Sequence, residues 1–178
     1  MDGYSHNQPL PFNLLVVKSA DFSRSLTNFR DESARALIAT VSSMNPKTQA
    51  LLARTHEFLV RVIQFCDTVP EKPAARSICQ QLLDSAGSTD SNYRSACKAR
   101  SRREFIAKIG VAAEEADESL GWLEALRDAG LGDRSAVCLL ITEANELTSI
   151  FVSSKKTATQ RLQEEQRQKS AARRRTSR

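Results

Sequence analysis

From residue 46 onward, apolar side chains recur every three to four positions, and no stretch alternates with period two as a half-buried strand would. In "MNPKTQALLARTHEFLVRVIQFCDTVPEKP", Leu51, Phe58, Val62, Phe65 and Val69 fall on one helical stripe, widened by Leu52, Leu59, Ile63 and Cys66. Asn45 can cap this helix, and Pro46 fits its first position, where the missing amide costs nothing. "VPEKP" ends it, and Pro73 opens a second helix. There the seam runs through Ile78, Leu82, Ser85, Thr89, Asn92 and Ala96, aliphatic at first and then small and polar, so a neighbouring helix can come close.

The sequence "SRRE" predicts the start of a third helix through a capping box. Ser101 accepts from the amide of Glu104, and the Glu104 carboxylate returns to the amide of Ser101. Its stripe is Phe105, Ile109, Ala112, Ala116, Leu120 and Leu123, and "DAGLGD" stops it, with Gly130 suited to the left-handed turn past a helix end. Asp133 caps a fourth helix whose seam is Val137, Leu140, Ala144, Leu147 and Phe151. Beyond Ala158 and Leu162 apolar residues thin out, so the rest of that helix faces water or frays.

The predicted class is therefore all-α, an up-down-up-down antiparallel four-helix bundle, because short connections make successive helices neighbours. Three segments follow: an N-terminal extension over 1–45, partly disordered, with a weak helical stretch at Phe29–Val41; a bundle over 46–160; and a basic tail over 161–178. No internal repeat is evident. The apolar run "FNLLVV" is too short to span a bilayer and lacks the flanks of a secretory signal, so the expectation is a cytoplasmic protein with no membrane partner.

Charge changes the picture at one place. The formal net charge is +5 with a pI near 9.2. From Lys155 onward nine basic residues face only Glu164 and Glu165, so the C-terminal segment carries all of the surplus. A second cluster, Arg94, Lys98, Arg100, Arg102, Arg103 and Lys108, surrounds the turn between the second and third helices. Equal rises along antiparallel helices bring Lys155 and Lys156 level with Phe105 to Lys108, and Arg161, Arg173, Arg174 and Arg175 leave from the same pole. Such a pole attracts polyanions. Basic residues at a helix end also complement its dipole, so the cluster alone does not decide between a grip and a solvated face.

Chemistry is sparse elsewhere. The two histidines, His6 and His56, assemble no triad, and the six glycines form no phosphate loop. Glu114, Glu115, Asp117 and Glu118 lack the Glu-x-x-His pairs of a bundle metal site, and Glu118 reads as a link to a neighbouring helix. Cys66, Cys79, Cys97 and Cys138 form no C-x-x-C and read as small core residues in a reducing compartment. Trp122 reads as a core or interface aromatic, and Ser85, Ser88, Thr89 and Asn92 as polar groups bonding across the bundle or between subunits. No enzyme, cofactor or metal is expected.

The stretch "QLLDSAGSTDSNYRSACKARSRREFIAKIGVAAEEADESLGWLEAL", continued by "ITEANELTSIF", resembles the bacterial four-helix-bundle family of ribosomal-RNA intervening-sequence proteins and diversity-generating retroelement accessory proteins. The family's pattern falls on Gln81, Ser88 and Asn92, on Ser101, Glu104, Phe105 and Ile106, and on Ala112 to Leu123 with Glu118 and Trp122. An acid common after the asparagine in relatives is absent from Asn92-Tyr93-Arg94-Ser95-Ala96. The resemblance implies a homo-oligomer, a pentamer in known members, with a basic surface for RNA or DNA and, in the retroelement branch, a reverse transcriptase as partner. The stand-alone branch is the nearer of the two. The functional expectation is a non-enzymatic oligomer that grips nucleic acid at its basic pole; the alternative is a protein-interaction scaffold of the same fold.

Overall fold

A computed structural model describes the backbone of residues 45–176 and side chains as far as Arg174. The extension, with its expected helix at Phe29–Val41, and the side chain of Arg175 lie outside the described residues. Among the described residues every regular element is a helix: α1 (Pro46–Thr68), α2 (Pro73–Cys97), α3 (Arg102–Asp128) and α4 (Arg134–Thr176).

The helix ends follow local chemistry. Asn45 Oδ1 accepts from the Lys47 amide at 2.9 Å, and α1 stops at an extended Val69, as the following Pro70 requires. Ser101 Oγ accepts from the Glu104 amide at 3.1 Å, but the return bond goes to the amide of Arg100, at 2.9 Å from Glu104 Oε2, rather than to that of Ser101. Ser101 is extended (φ −148°, ψ 157°), and it is the preceding amide that meets the carboxylate. At the far end of α3, Gly130 has φ 66°; its amide bonds Arg127 O at 3.1 Å and that of Leu131 bonds Leu126 O at 2.9 Å, a paired closure that uses up the last carbonyls. Asp133 Oδ1 caps α4 through the Ala136 amide at 2.7 Å.

α1 packs against α2 and α4, α2 against α3, and α3 against α4. Thr55 meets Asp90, and Cys66, further along α1, meets the earlier Cys79 on α2. Ser85 on α2 meets Ser119 on α3. The core holds Phe58, Val62, Phe65, Leu82, Ile109, Leu123, Leu147 and Phe151, with Tyr93 tilted against Phe151 at a ring separation of 5.3 Å. The five expected seam positions of α4 are all buried, whereas Leu51, Ile78, Asn92, Phe105 and Leu120 are half-buried at the margins. Two expectations fail at the surface. Ile63 is 44% exposed, and Cys138, placed in the core by its apolar neighbours, is exposed because it lies one residue past the inward Val137. By length and composition α4 is the one described helix apolar enough to cross a bilayer, but its inward seam belongs to this core.

Candidate nucleic-acid interface

α2 runs out at Cys97, the chain turns through Lys98 to Ser101, and α3 begins at Arg102. α4 passes alongside. These pieces, with Thr48 from the start of α1, line an open cleft of about 850 Å3. Its floor is apolar: Ala96, Phe105 and Ala158, with the buried Tyr93. Hydroxyls of Ser153, Ser154 and Thr157 line the α4 side, and Arg100, Arg102 and Arg161 stand around it. Burial pushes the Tyr93 phenol up, with neighbouring Cys97 adding to the effect, so it stays neutral here.

The expected co-location of the two basic clusters is present, with a shifted register. Arg102 Nη2 donates to Glu165 Oε1 at 2.8 Å, so the start of α3 lies beside residue 165 of α4. Lys155 instead lies over Gly110, where an added Cβ would come 2.9 Å from its Nζ, and reaches Glu114 Oε1 at 3.8 Å. Both side chains lean toward the N-terminus of their own helix, and because the helices run past each other in opposite senses these leans carry the two head groups apart. Lys155 thus reaches a turn or more beyond the Phe105 to Lys108 level expected for it.

Several of the expected cations are already paired. Arg94 Nε holds Asp90 Oδ2 at 2.7 Å, on the side of α2 that faces α1 rather than at the cleft. Arg100 Nε lies 3.5 Å from Glu104 Oε2. Glu104 is held below the usual carboxylate range, first by the Arg100 amide and then by the charges of Arg100 and Lys108. Lys98, Arg103, Lys108, Lys156 and Arg161 have no carboxylate within ion-pair distance among the described residues. Arg173 and Arg174 ride on the last turns of α4, which continues about ten residues past Glu165, roughly 15 Å beyond the start of α3. The opposite end has no such surplus: Arg127 pairs with Asp128 at 2.8 Å and Arg76 with Glu71 at 3.5 Å.

The residues of the family pattern are spread rather than gathered. Ser101, Glu104 and Phe105 shape the turn at the cleft. Gln81 is exposed on α2, and Asn92 Nδ2 donates to Ser88 O on its own helix at 2.9 Å. Glu118 does not link a neighbouring helix; it accepts from Trp122 Nε1 at 3.1 Å one turn along α3. Ser85 and Ser119 do bond across helices, at 2.8 Å, whereas Thr89 bonds back to Ser85 O.

Sequence reasoning missed two polar groups that the structure makes prominent. Asp90, 7% exposed, accepts from the fully buried Thr55 at 2.8 Å and from Arg94, with His56 Nδ1 at 3.9 Å. Its one legible sign is the i,i+4 spacing to Arg94. Arg54 joins α1 to α4 through both oxygens of Glu143, at 2.5 and 2.9 Å, and through Glu146, which raises its already high pKa, Glu143 contributing most. Among the described residues no cluster of His, Cys, Asp or Glu is arranged to hold a metal ion.

A sequence model of the 23S rRNA-intervening sequence protein family matches residues 47–153, more than half of the chain and all of the helical region through the cleft's Ser153. A crystal structure of a protein of unknown function from the S23 ribosomal protein family of Bacteroides thetaiotaomicron is similar at 27% identity and a TM-score of 0.57, covering 62% of this chain and 98% of that one. Among curated proteins no match is found.

Proposed function

The chain belongs to the 23S rRNA-intervening sequence protein family, and from that premise we propose that it is a non-enzymatic nucleic-acid-binding protein, gripping RNA or DNA at the pole where α3 begins and α4 passes. The observation that carries this is the gathering of Arg100, Arg102 and Arg161 around one cleft, with Arg103, Lys108 and Lys156 on the neighbouring turns of α3 and α4 and further arginines on α4's last turns. We read the four helices as an up-down-up-down antiparallel bundle. In support, partners advance along one helix as they retreat along the next: Thr55 with Asp90 and Cys66 with Cys79, Arg102 with Glu165 and Gly110 with Lys155.

Binding is electrostatic, so affinity for mixed-sequence RNA falls linearly on a log–log plot as salt rises. Replacing Arg103, Lys108, Lys156 and Arg161 by Gln, all without carboxylate partners, lowers both affinity and the salt slope in a filter-binding titration. Unchanged affinity in that variant contradicts the proposal.

We further propose that the chain is a homo-oligomer, a pentamer on the family resemblance, with a reverse transcriptase as partner only if a retroelement encodes it. The outward stripe of α4, Cys138, Thr142, Asn145, Ser149 and Val152, carries no charge, and Val152 is 52% exposed. That face favours a second copy as its cover, and the same stripe supports the scaffold alternative. Light scattering of the purified full chain tests the assembly: a mass several times 19.7 kDa supports it, a monomer overturns it.

A further inference from the structure

The cleft at this pole differs in kind from a patch that merely attracts phosphates. We propose, resting on the nucleic-acid reading above, that it receives one unstacked nucleotide of a single strand, its base against Phe105 and its phosphate between Arg102 and Arg161.

Size, surface and charge each support this. At about 850 Å3 the cleft lies within the range of small-molecule sites, about 300–1,000 Å3, so a base with its sugar and phosphate fits with room for the chain to enter and leave. A duplex keeps its bases stacked and offers only its backbone and groove edges, whereas a flipped or single-stranded base needs an apolar platform, which every base can use. Phe105 is half-buried and lines the cleft with Ala96 and Ala158, and the hydroxyls of Ser154 and Thr157, which donate to Ile150 O and Ser153 O on their own helix, keep acceptor lone pairs for a base amino group or a 2′-hydroxyl.

The charge count points to a single phosphate. Three arginines stand at the cleft, and two of them face carboxylates, Arg100 with Glu104 and Arg102 with Glu165. The surplus is one positive charge, at Arg161, matching one phosphodiester. Arg102 is held by Glu165 through Nη2 alone, while its buried Nε lacks an acceptor among the described residues. A guanidinium fixed at one corner is oriented before the anion arrives, and its remaining terminal N–H groups are the donors a phosphate oxygen can meet.

The test compares two probes on the full chain by fluorescence anisotropy at one salt concentration: a labelled single-stranded octauridylate and a blunt RNA duplex of mixed sequence and equal length. Thr157→Trp fills the cleft from an exposed wall position without altering charge, and Phe105→Leu removes the platform; circular dichroism checks that both fold. The expected result is that Thr157→Trp weakens octauridylate binding at least about tenfold and duplex binding less than about twofold, with Phe105→Leu acting in the same direction. If both probes bind and Thr157→Trp alters neither, the nucleotide cleft is overturned while the phosphate-contact reading stands. If neither probe binds, both fall. Full competition by free uridine monophosphate at the octauridylate's own concentrations would assign the cleft to a free nucleotide and overturn the single-strand assignment.

Discussion

Asp90 lies between α1 and α2, where an unpaired carboxylate would be strongly destabilising, and the fold retains it by surrounding it with donors. Asp90→Ala removes the shorter of the two bonds of the fully buried Thr55 hydroxyl, leaving it Leu52 O at 3.1 Å, and unpairs Arg94, so it should lower stability by about 1 kcal/mol in urea unfolding. Asp90→Asn keeps an acceptor for Thr55 and loses only the half-exposed pair with Arg94, so it should cost less. Gly132 is constrained twice: φ is 79°, and a Cβ there would come 2.7 Å from the Phe65 ring. Gly132→Ala should therefore destabilise by about 1–3 kcal/mol, read in the same experiment, and wild-type stability in that variant would contradict the contact. Burial, then Cys79, pushes the Cys66 thiol from its ordinary 9.0 up to about 12. The folded state thus holds this proton more tightly than the unfolded one, and the resulting stability is fully present below about pH 9 and lost as pH rises toward about 12. At pH 8, mass spectrometry after iodoacetamide treatment should find Cys66 and Cys79 alkylated last, with Cys138 first in samples diluted to the monomer and protected where the α4 stripe is covered by a second copy.

At the scale of elements, the packed helices α2 and α3 bury small residues, among them Ser85, Ala86 and Thr89 on one and Ala112, Ala116 and Ser119 on the other. The Ser85–Ser119 bond is the polar link in that contact. Removing one hydroxyl leaves the other without its cross-helix partner; removing both leaves a nearly apolar contact. A double-mutant cycle of Ser85→Ala and Ser119→Ala should give a coupling of about 1 kcal/mol, and strict additivity would contradict a direct bond. The starts of these helices and the stops of the first three were legible because they depend on neighbours in sequence: Pro46, Pro73, Ser101, Gly130 and Asp133 each act within one turn, whereas α4 continues to Thr176 through the segment set apart as a basic tail. Pairings between helices were not. Asp90 looks like Asp84 or Asp67 until α1 is set beside it, and the head group of Lys155 lies over Gly110, past the expected Phe105 to Lys108 level, because side-chain lean adds to the register of the backbone. Cys138 was misplaced for a simpler reason: a helix advances 100° per residue, enough to turn a core position outward.

For the whole molecule, the distribution of charge matters more than its total. At one end Arg127 pairs with Asp128 and Arg76 with Glu71, and Asp67, Glu124 and Asp133 offset Lys72 and Arg134, while the other keeps Lys98, Arg103, Lys108, Lys156 and Arg161 unpaired among the described residues and extends α4 beyond them. This asymmetry was readable in outline, since two basic runs and equal rises along antiparallel neighbours place both at one pole. The cleft was not, since it is assembled from α1, α2, α3 and α4 together and its α4 hydroxyls carry no sequence signal. The central claim is that nucleic acid is held at this pole, and photocrosslinking 4-thiouridine-containing RNA to the full chain, followed by mass spectrometry of the adducts, tests it most directly. The account predicts adducts in peptides spanning residues 93–108 and 153–174; adducts concentrated instead at residues 68–76 and 127–135 would contradict it.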